Sequence, residues 1–205
     1  KQRKAYREMK TQLITEIAGE DITASVALAK LCKLRELSSG FAIDENGNAQ
    51  DVGESPKITE LKAVLEEAGN QPVIIWGHFH WEIIKICHEL SQWYPNEKIA
   101  TLYGGTVDRN ESIRAFQNGE ARFLVAHPYS GGHGLNLQNA SLQIFFSLDY
   151  SSEYYIQSRG RTHRPGQTQK CTYIHLLCEG TIDQDILDIL RKKKTAADVI
   201  LKFTS

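Results

Sequence analysis

The fold is best predicted from the stretch RFLVAHPYSGGHGLNL, residues 122–137. It opens with a short apolar run, Phe123 to Ala126, which has the length of a strand buried on both faces. Glycines follow at positions 131, 132 and 134. Because glycine lets backbone N–H groups approach a ligand closely, a strand that ends in such a turn is typical of an α/β protein with its site at the strand ends.

Outward from this stretch, short apolar runs alternate with segments of helical spacing. The predicted strands are 73–76, 99–103, 122–126, 142–147 and 172–177, and the predicted helices are 57–68, 80–92, 108–117, 152–160 and 181–194. This alternation predicts βαβ units around a doubly wound parallel sheet. Residues 1–17 and 23–38 have the spacing of an α-helical lead-in, and 40–56 have the composition of an exposed loop with a hairpin turn at Asn46-Gly47.

Composition limits the class of partner. The 205 residues are 41% hydrophobic and carry a formal net charge of −1, so contact with a polyanion requires local basic clusters. No apolar stretch approaches about 18 residues, and a membrane partner is not predicted. The four cysteines are scattered and form no CxxC pair, which favours reduced core residues over zinc ligands or disulfides.

The most basic segment is QSRGRTHRPGQ, residues 157–167. If the preceding helix continues this far, Arg161 and Arg164 share a face, with Gln157 one turn earlier than Arg161. Two guanidinium groups on one face can hold a single anion, because each matches phosphate oxygens bidentately. A solvated basic helix end, paired with the negative helix C-terminus, is the alternative, and charge alone leaves both open.

The same segment resembles motif VI of the C-terminal lobe of superfamily 2 helicases, in the Swi/Snf branch, where it reads Q-x-x-G-R-x-x-R-x-G-Q. Every fixed position is matched. The resemblance implies a RecA-like lobe of P-loop NTPase type, in which Arg161 and Arg164 act as arginine fingers on ATP held by another lobe and Gln157 helps to couple the nucleotide to lobe closure. This role requires both guanidinium groups to be presented at the rim of the sheet.

The glycine turn resembles motif V of that family, which links the nucleotide site to the DNA track. The resemblance places Gly132, Gly134 and Asn136 on the nucleotide side and Ser130 and Gly131 on the DNA side. A glycine-rich turn by itself is more often a plain turn than a ligand site. His127-Pro128 stands where the family usually has Ser-Thr, so a hydroxyl for a DNA phosphate is displaced or lost, and His127 with His133 lacks a third ligand for a metal site.

Gly105, Thr106 and Arg109 resemble the family segment that holds a DNA backbone phosphate, although Arg109 also fits a plain surface cation. Tyr150-Ser151-Ser152 stands where the family has Trp-Asn-Pro, so the family's wedge-like Trp contact is not expected, and Tyr154 or Tyr155 could stack in its place. The resemblance covers about residues 55–194. We therefore predict a helical lead-in and exposed loop at 1–54 and a helicase C-terminal lobe at 55–205.

The sequence contains no G-x-x-x-x-G-K-[ST] and no Asp-Glu-x-His box, so ATP and Mg²⁺ are expected to be held mainly by a first lobe of the same polypeptide. The resemblance predicts the second lobe of an ATP-dependent DNA translocase or helicase. The resemblance implies that such a lobe hydrolyses ATP only as part of a longer protein and that it contacts duplex DNA through the backbone. Backbone contacts leave RNA open as an alternative. Such a protein is expected in the cytoplasm if bacterial or phage-encoded, and in the nucleus if eukaryotic.

A second hypothesis is a non-catalytic nucleic-acid-binding or scaffold module derived from such a lobe. Its basic patch of Arg159, Arg161, Arg164 and Lys170 would then contact phosphates only.

Overall fold

A computed structural model describes residues 1–18, 24–131 and 135–192. Its elements in chain order are α1 (Gln2–Ala18), α2 (Ala24–Ser39), β1 (Phe41–Ile43), β2 (Ala49–Asp51), α3 (Pro56–Glu67), β3 (Val73–Trp76), α4 (His80–Trp93), β4 (Lys98–Leu102), α5 (Arg109–Gln117), β5 (Ala121–Ala126), a 3₁₀ turn (Pro128–Gly131), β6 (Leu142–Phe145), α6 (Ser152–Arg159), β7 (Thr172–His175) and α7 (Ile182–Lys192). Every predicted strand and helix is confirmed, with ends shifted by one or two residues, and positions 193 and 194 of the last predicted helix lie outside the described residues.

The chain divides into two compact units, the first formed by residues 1–60, 149–152 and those from 177 onward, and the second by 61–148 and 153–176. The domain boundary predicted at residues 54/55 stays a prediction.

The second unit is built on a parallel sheet of five strands in the order β4-β5-β3-β6-β7. All residues of β3, β5 and β6 are buried, as expected for strands inside a parallel sheet. The predicted α/β fold of RecA-like type is confirmed. Because parallel strands all end at one edge, this sheet brings the segments after β3, β4, β5 and β6 together.

In the first unit, the two N-terminal helices and the hairpin are confirmed. The Asp44 carboxylate accepts hydrogen bonds from the backbone N–H groups of Asn46 and Asn48, and Gly47 adopts φ 83°, so the turn forms at the predicted dipeptide.

Lys57 and Asp183 form an ion pair of 2.7 Å in which both side chains are almost fully buried. Asp183 also accepts from the Ser38 hydroxyl at 2.9 Å, so a hydrogen-bonded network surrounds the buried charges.

The prediction that the cysteines are core residues is wrong for Cys32. All four thiols are free, but Cys32 is exposed and the other three are half-buried. Cys32 lies on α2 directly after Leu31, which is 1% exposed, because neighbouring positions on a helix point to different faces.

Candidate functional site

The basic segment follows α6, and buried polar side chains fasten it to the sheet. Trp76 Nε1 donates to Gln143 Oε1 at 2.8 Å, and Gln143 Nε2 donates to Thr162 Oγ1 at 2.7 Å. Both Gln143 and Thr162 are 0% exposed. A further amide, Gln167 Nε2, donates to the carbonyls of Gln138 and Ala140 at 2.9 and 3.1 Å. The loop is therefore fixed to β3, β6 and the segment that precedes β6.

The helix that carries Gln157 ends at Arg159, so it does not continue through the basic segment. Residues 160–166 form turns, and the predicted helical face shared by Gln157, Arg161 and Arg164 does not exist. The Gln157 amide instead donates to Glu153 Oε1 at 2.9 Å within α6. Gly160 follows the helix directly, and glycine disfavours a helical conformation. The turn that begins there breaks the helical spacing on which the predicted shared face depended.

Arg161 is only 5% exposed, and the prediction that both guanidinium groups are presented at the rim is therefore wrong for this residue. Its carbonyl accepts a hydrogen bond from the Leu137 N–H at 3.0 Å, which draws the backbone against the segment after the glycine turn. Burial, and secondarily the charge of Arg164, lower the pKa of Arg161. Both causes disfavour the charged form of this guanidinium.

Arg164 is half-buried, and its Nε donates to the carbonyl of Gly160 at 3.0 Å. This contact holds the side chain back against the turn that it follows. The structure thus brings Arg161 and Arg164 close enough for their charges to interact, but it gives them different exposure.

The segment after β5 brings together two residues that the sequence assigned to nucleic-acid contact. The Arg109 guanidinium, on α5, donates to the carbonyl of Ser130 in the 3₁₀ turn, and Arg109 itself is exposed. The Ser130 N–H donates to the carbonyl of His127 at 2.9 Å, so the turn that ends at Gly131 is closed by its own backbone. Arg109 and Ser130 are 21 positions apart in sequence, and only the sheet makes them neighbours.

The remaining predicted residues of this segment are less informative. Gly132 and Gly134 lie outside the described residues. Asn136 Oδ1 accepts from the Gln138 N–H at 3.2 Å, and its carbonyl accepts from Gln117 Nε2 at 2.6 Å. These contacts shape the chain between the glycine turn and β6.

After β4, Gly105 and Thr106 form a tight turn. Thr106 Oγ1 accepts from the Tyr103 N–H at 2.9 Å, and a Cβ on Gly105 would lie 2.6 Å from the Tyr103 ring. A side chain at position 105 would therefore force the tyrosine ring to move. Both residues therefore have a structural role, whatever else they contact.

Sequence analysis missed three buried polar residues: Gln143, Thr162 and Glu82. Glu82 is 0% exposed and accepts from the N–H groups of His78 and Phe79 and, at 2.6 Å, from the Ser147 hydroxyl. The available signal was a polar residue within an apolar run, because buried polar groups need partners.

Among residues 1–18, 24–131 and 135–192 there is no cluster of three or more His, Cys, Asp or Glu suited to a metal ion. No described helix combines the length and the apolar character needed to cross a bilayer.

Comparison with known proteins gives a family match and several relatives. A model of the helicase conserved C-terminal domain matches residues 56–166. Putative protein p41 of Acyrthosiphon pisum secondary endosymbiont phage 1 is 29% identical over 210 residues, which cover 98% of this chain and 43% of that protein. The chromatin-remodeling ATPase INO80 of Arabidopsis thaliana is 28% identical over 155 residues, 72% of this chain and 10% of that protein. The chain thus spans less than half the length of these curated relatives.

Solved structures give the same fold. The C-terminal part of the Fun30 ATPase domain has a TM-score of 0.72 at 22% identity, covering 96% of this chain and 87% of that chain. The Sulfolobus solfataricus SWI2/SNF2 ATPase core, solved in complex with dsDNA, has a TM-score of 0.72 at 25% identity, covering 93% of this chain and 41% of that chain.

Proposed function

Because the chain belongs to the helicase conserved C-terminal domain family, in its Swi/Snf branch, we propose that it is the second motor lobe of an ATP-dependent DNA translocase. The observation that carries the proposal is the direct bond between the two functional segments. The Leu137 N–H donates to the Arg161 carbonyl at 3.0 Å, so a hydrogen bond ties the arginine loop, residues 160–167, to the segment that follows the glycine turn. A motor needs such a link, because nucleotide chemistry must displace the DNA contact.

On the nucleotide side, Arg164 takes the terminal phosphate of ATP bound to the first lobe, with Gln157 and Asn136 supporting the loops around it. Arg161 is buried in this structure, so its finger role requires its side chain to turn outward when the lobes close. Guanidinium groups fit the phosphates of ATP. The described residues form no carboxylate cluster for Mg²⁺, which is assigned to the first lobe together with most of the nucleotide.

On the DNA side, Arg109 and Ser130 contact backbone phosphates of a duplex, with Gly105, Thr106 and Gly131 lining the same track. The exposed Arg109 guanidinium next to the Ser130 turn supports this assignment. Contacts of this kind bind DNA without reading its sequence. The lobe is proposed to extend over residues 55–205, with 1–54 as its lead-in.

The test is DNA-stimulated ATP turnover of the full-length protein that contains this chain. Arg164→Ala is expected to lower kcat by about 10³-fold or more with nucleotide binding retained, the effect of removing an arginine finger. Arg161→Ala tests whether the buried arginine takes part. Arg114→Ala is the control, because Arg114 is exposed on α5 and pairs with Glu111. Unchanged turnover in the Arg164 variant would remove its finger role.

The burial of Arg161 favours one alternative, a nucleic-acid-binding or scaffold module without ATP turnover. In that case the full-length wild-type protein binds duplex DNA and shows no DNA-stimulated hydrolysis. Binding falls in Arg109→Ala, and neither Arg161→Ala nor Arg164→Ala has an ATPase rate to lose.

A further inference from the structure

Residues 149–152 lie on the connection from β6 to α6 and include Ser152, the first residue of that helix. They belong to the first compact unit, although β6 and residues 153–159 belong to the second. The helix ends at Arg159, directly before the arginine loop. The connection is therefore the part of the first unit from which the helix that leads into the loop begins.

One arginine of α2 contacts this connection with both its charge and its plane. Arg35 Nη1 lies 3.4 Å from Asp149 Oδ1, and its guanidinium carbon lies 5.6 Å from the centre of the Tyr150 ring. Asp149 Oδ1 also accepts from the Tyr150 N–H at 2.7 Å, so the carboxylate is oriented by the chain that it belongs to. Arg35 is only 7% exposed. These three residues form a cluster that we call the Arg35 clamp.

Burial makes this arginine a poor choice for packing alone. A buried guanidinium loses hydration that its partners must replace, and an apolar side chain of similar volume often stabilises a fold as well or better. What arginine adds is geometry, because its planar fork can bind a carboxylate along one edge while its face lies on a ring. The Arg35 clamp is therefore better suited to fixing the position of the chain than to adding stability.

The Tyr150 ring contributes to the clamp through its face and not through its hydroxyl. Tyr150 Oη is buried and has no hydrogen-bond partner among the described residues. Burial raises the pKa of this phenol, and the positive charge of Arg35 opposes that rise. Removal of the hydroxyl should therefore cost little, whereas removal of the ring should release one side of the guanidinium.

We propose that Arg35 is a positioning residue for ATP turnover, because it fixes the start of α6 and with it the loop that carries Arg161 and Arg164. The inference rests on the proposed function, which assigns those arginines to ATP. The helix has eight residues and spans about 12 Å, so it can transmit a shift of its first turn to its end. Since a misplacement of about 1 Å can cost about 10²-fold in rate, a clamp at the far end of the helix should affect kcat.

The experiment uses the full-length protein and combines steady-state ATP turnover with hydrogen exchange. Arg35→Met removes the charge and the plane, Arg35→Lys keeps the charge alone, and Asp149→Asn removes the charge of the carboxylate. Tyr150→Phe and Tyr150→Leu separate the hydroxyl from the ring. Lys33→Met is the matched control, since Lys33 lies on the same helix as Arg35 but pairs with Glu36 at 3.0 Å.

Arg35→Met and Asp149→Asn are expected to lower kcat by about tenfold, with the KM for ATP and the half-saturating DNA concentration within about twofold of wild type. Arg35→Lys and Tyr150→Leu should have smaller effects, and Tyr150→Phe and the control should match wild type. Backbone amides of residues 153–159 should exchange about tenfold faster in Arg35→Met than in the control. If urea denaturation shows Arg35→Met to be unfolded in the assay, Arg35→Lys and Asp149→Asn decide the question.

Unchanged exchange of α6 in the folded Arg35 and Asp149 variants overturns the inference, and so does faster exchange with kcat within about twofold of wild type. An equal fall of kcat in Lys33→Met also overturns it, because a general loss of stability would then explain the effect. Wild-type protein without DNA-stimulated turnover overturns the proposed function instead, and the exchange rates alone then decide whether Arg35 holds the helix.

Discussion

At the residue scale, the side chain that best connects sequence to site is Gln143. It lies in the middle of an apolar strand, bridges Trp76 and Thr162, and is fully buried. Gln143→Leu keeps the volume but leaves the indole N–H and the threonine hydroxyl without this partner. We expect the free energy of unfolding to fall by about 2–4 kcal/mol, measured by urea denaturation. Gln92→Leu, on the exposed face of α4, is the control and should change stability little.

A second prediction at this scale concerns the cysteines. Burial raises the pKa of the Cys87 thiol from 9.0 to about 12, whereas Cys32 is exposed. Since the thiolate is the nucleophile, iodoacetamide at pH 8 should modify Cys32 first and Cys87 last. Cys32→Ser should remove the fast phase. Rapid labelling of Cys87 in the folded protein, followed by mass spectrometry, would contradict its burial.

The raised pKa of the Cys87 thiol also makes the stability of the fold depend on pH. The folded state keeps the proton on Cys87 at a pH where the unfolded chain releases it, so the unfolded state binds fewer protons above about pH 9. The contribution of this thiol to stability is therefore complete below pH 9 and decreases as pH rises from 9 towards 12.

The sequence predicted which residues lie in the basic segment, but it did not predict how exposed their side chains are. The spacing of Arg161 and Arg164 was correctly noted, yet one is buried and the other half-buried. The backbone around Arg161 is held by a hydrogen bond with Leu137, which joins positions 24 residues apart and leaves no mark in local spacing. Arg159 was assigned to a basic patch by its charge alone, because its ring partners Tyr155 and Tyr173 meet it only after β7 has joined the sheet.

At the scale of elements, the N-terminus of α4 depends on one buried carboxylate. Glu82 accepts from two backbone N–H groups that precede the helix or begin it, and from Ser147 after β6. Glu82→Ala should lower the free energy of unfolding by about 2–3 kcal/mol, because three donors lose their acceptor.

Glu82→Gln separates hydrogen bonding from charge. One amide oxygen can keep the same contacts, and the amide nitrogen replaces Glu82 Oε1, which has no hydrogen-bond partner among the described residues. We expect this variant to lose much less stability than the alanine variant. Glu89→Ala on the same helix is the control, since its partly exposed ion pair with Lys85 contributes little. Equal losses in both Glu82 variants would show that the charge itself is required.

Elements were the most predictable level of this protein. The strands β3, β5 and β6 are continuous apolar runs because both of their faces are buried, and that pattern is visible in sequence. The one error of element length that matters for the site is α6, which ends at Arg159. Helical spacing predicted that α6 ends one residue later, at position 160. The predicted shared face of Arg161 and Arg164 required the helix to continue beyond that position.

At the scale of the whole molecule, the resemblance predicted the family correctly, while the strand order required the structure. Chain order places β3 before β4 and β5, but the sheet inserts β5 between β4 and β3. The parallel pairing of β4 with β5 places Arg109, which follows β4, against Ser130, which follows β5. Long-range neighbours of this kind follow from topology and cannot be read from the spacing of either segment alone.

If the loop of residues 160–167 and the segment after the glycine turn act as one body, loosening their connection should uncouple DNA from turnover. Gln167 Nε2 donates to the carbonyls of Gln138 and Ala140, in addition to the bond between Leu137 and Arg161. Gln167→Leu removes both side-chain bonds and leaves the backbone bond in place. We expect the ratio of DNA-stimulated to basal ATP turnover of the full-length protein to fall by about fivefold, the size of a coupling free energy near 1 kcal/mol. Gln92→Leu is the matched control, and an unchanged ratio in Gln167→Leu would mean that the two segments are not coupled through this contact.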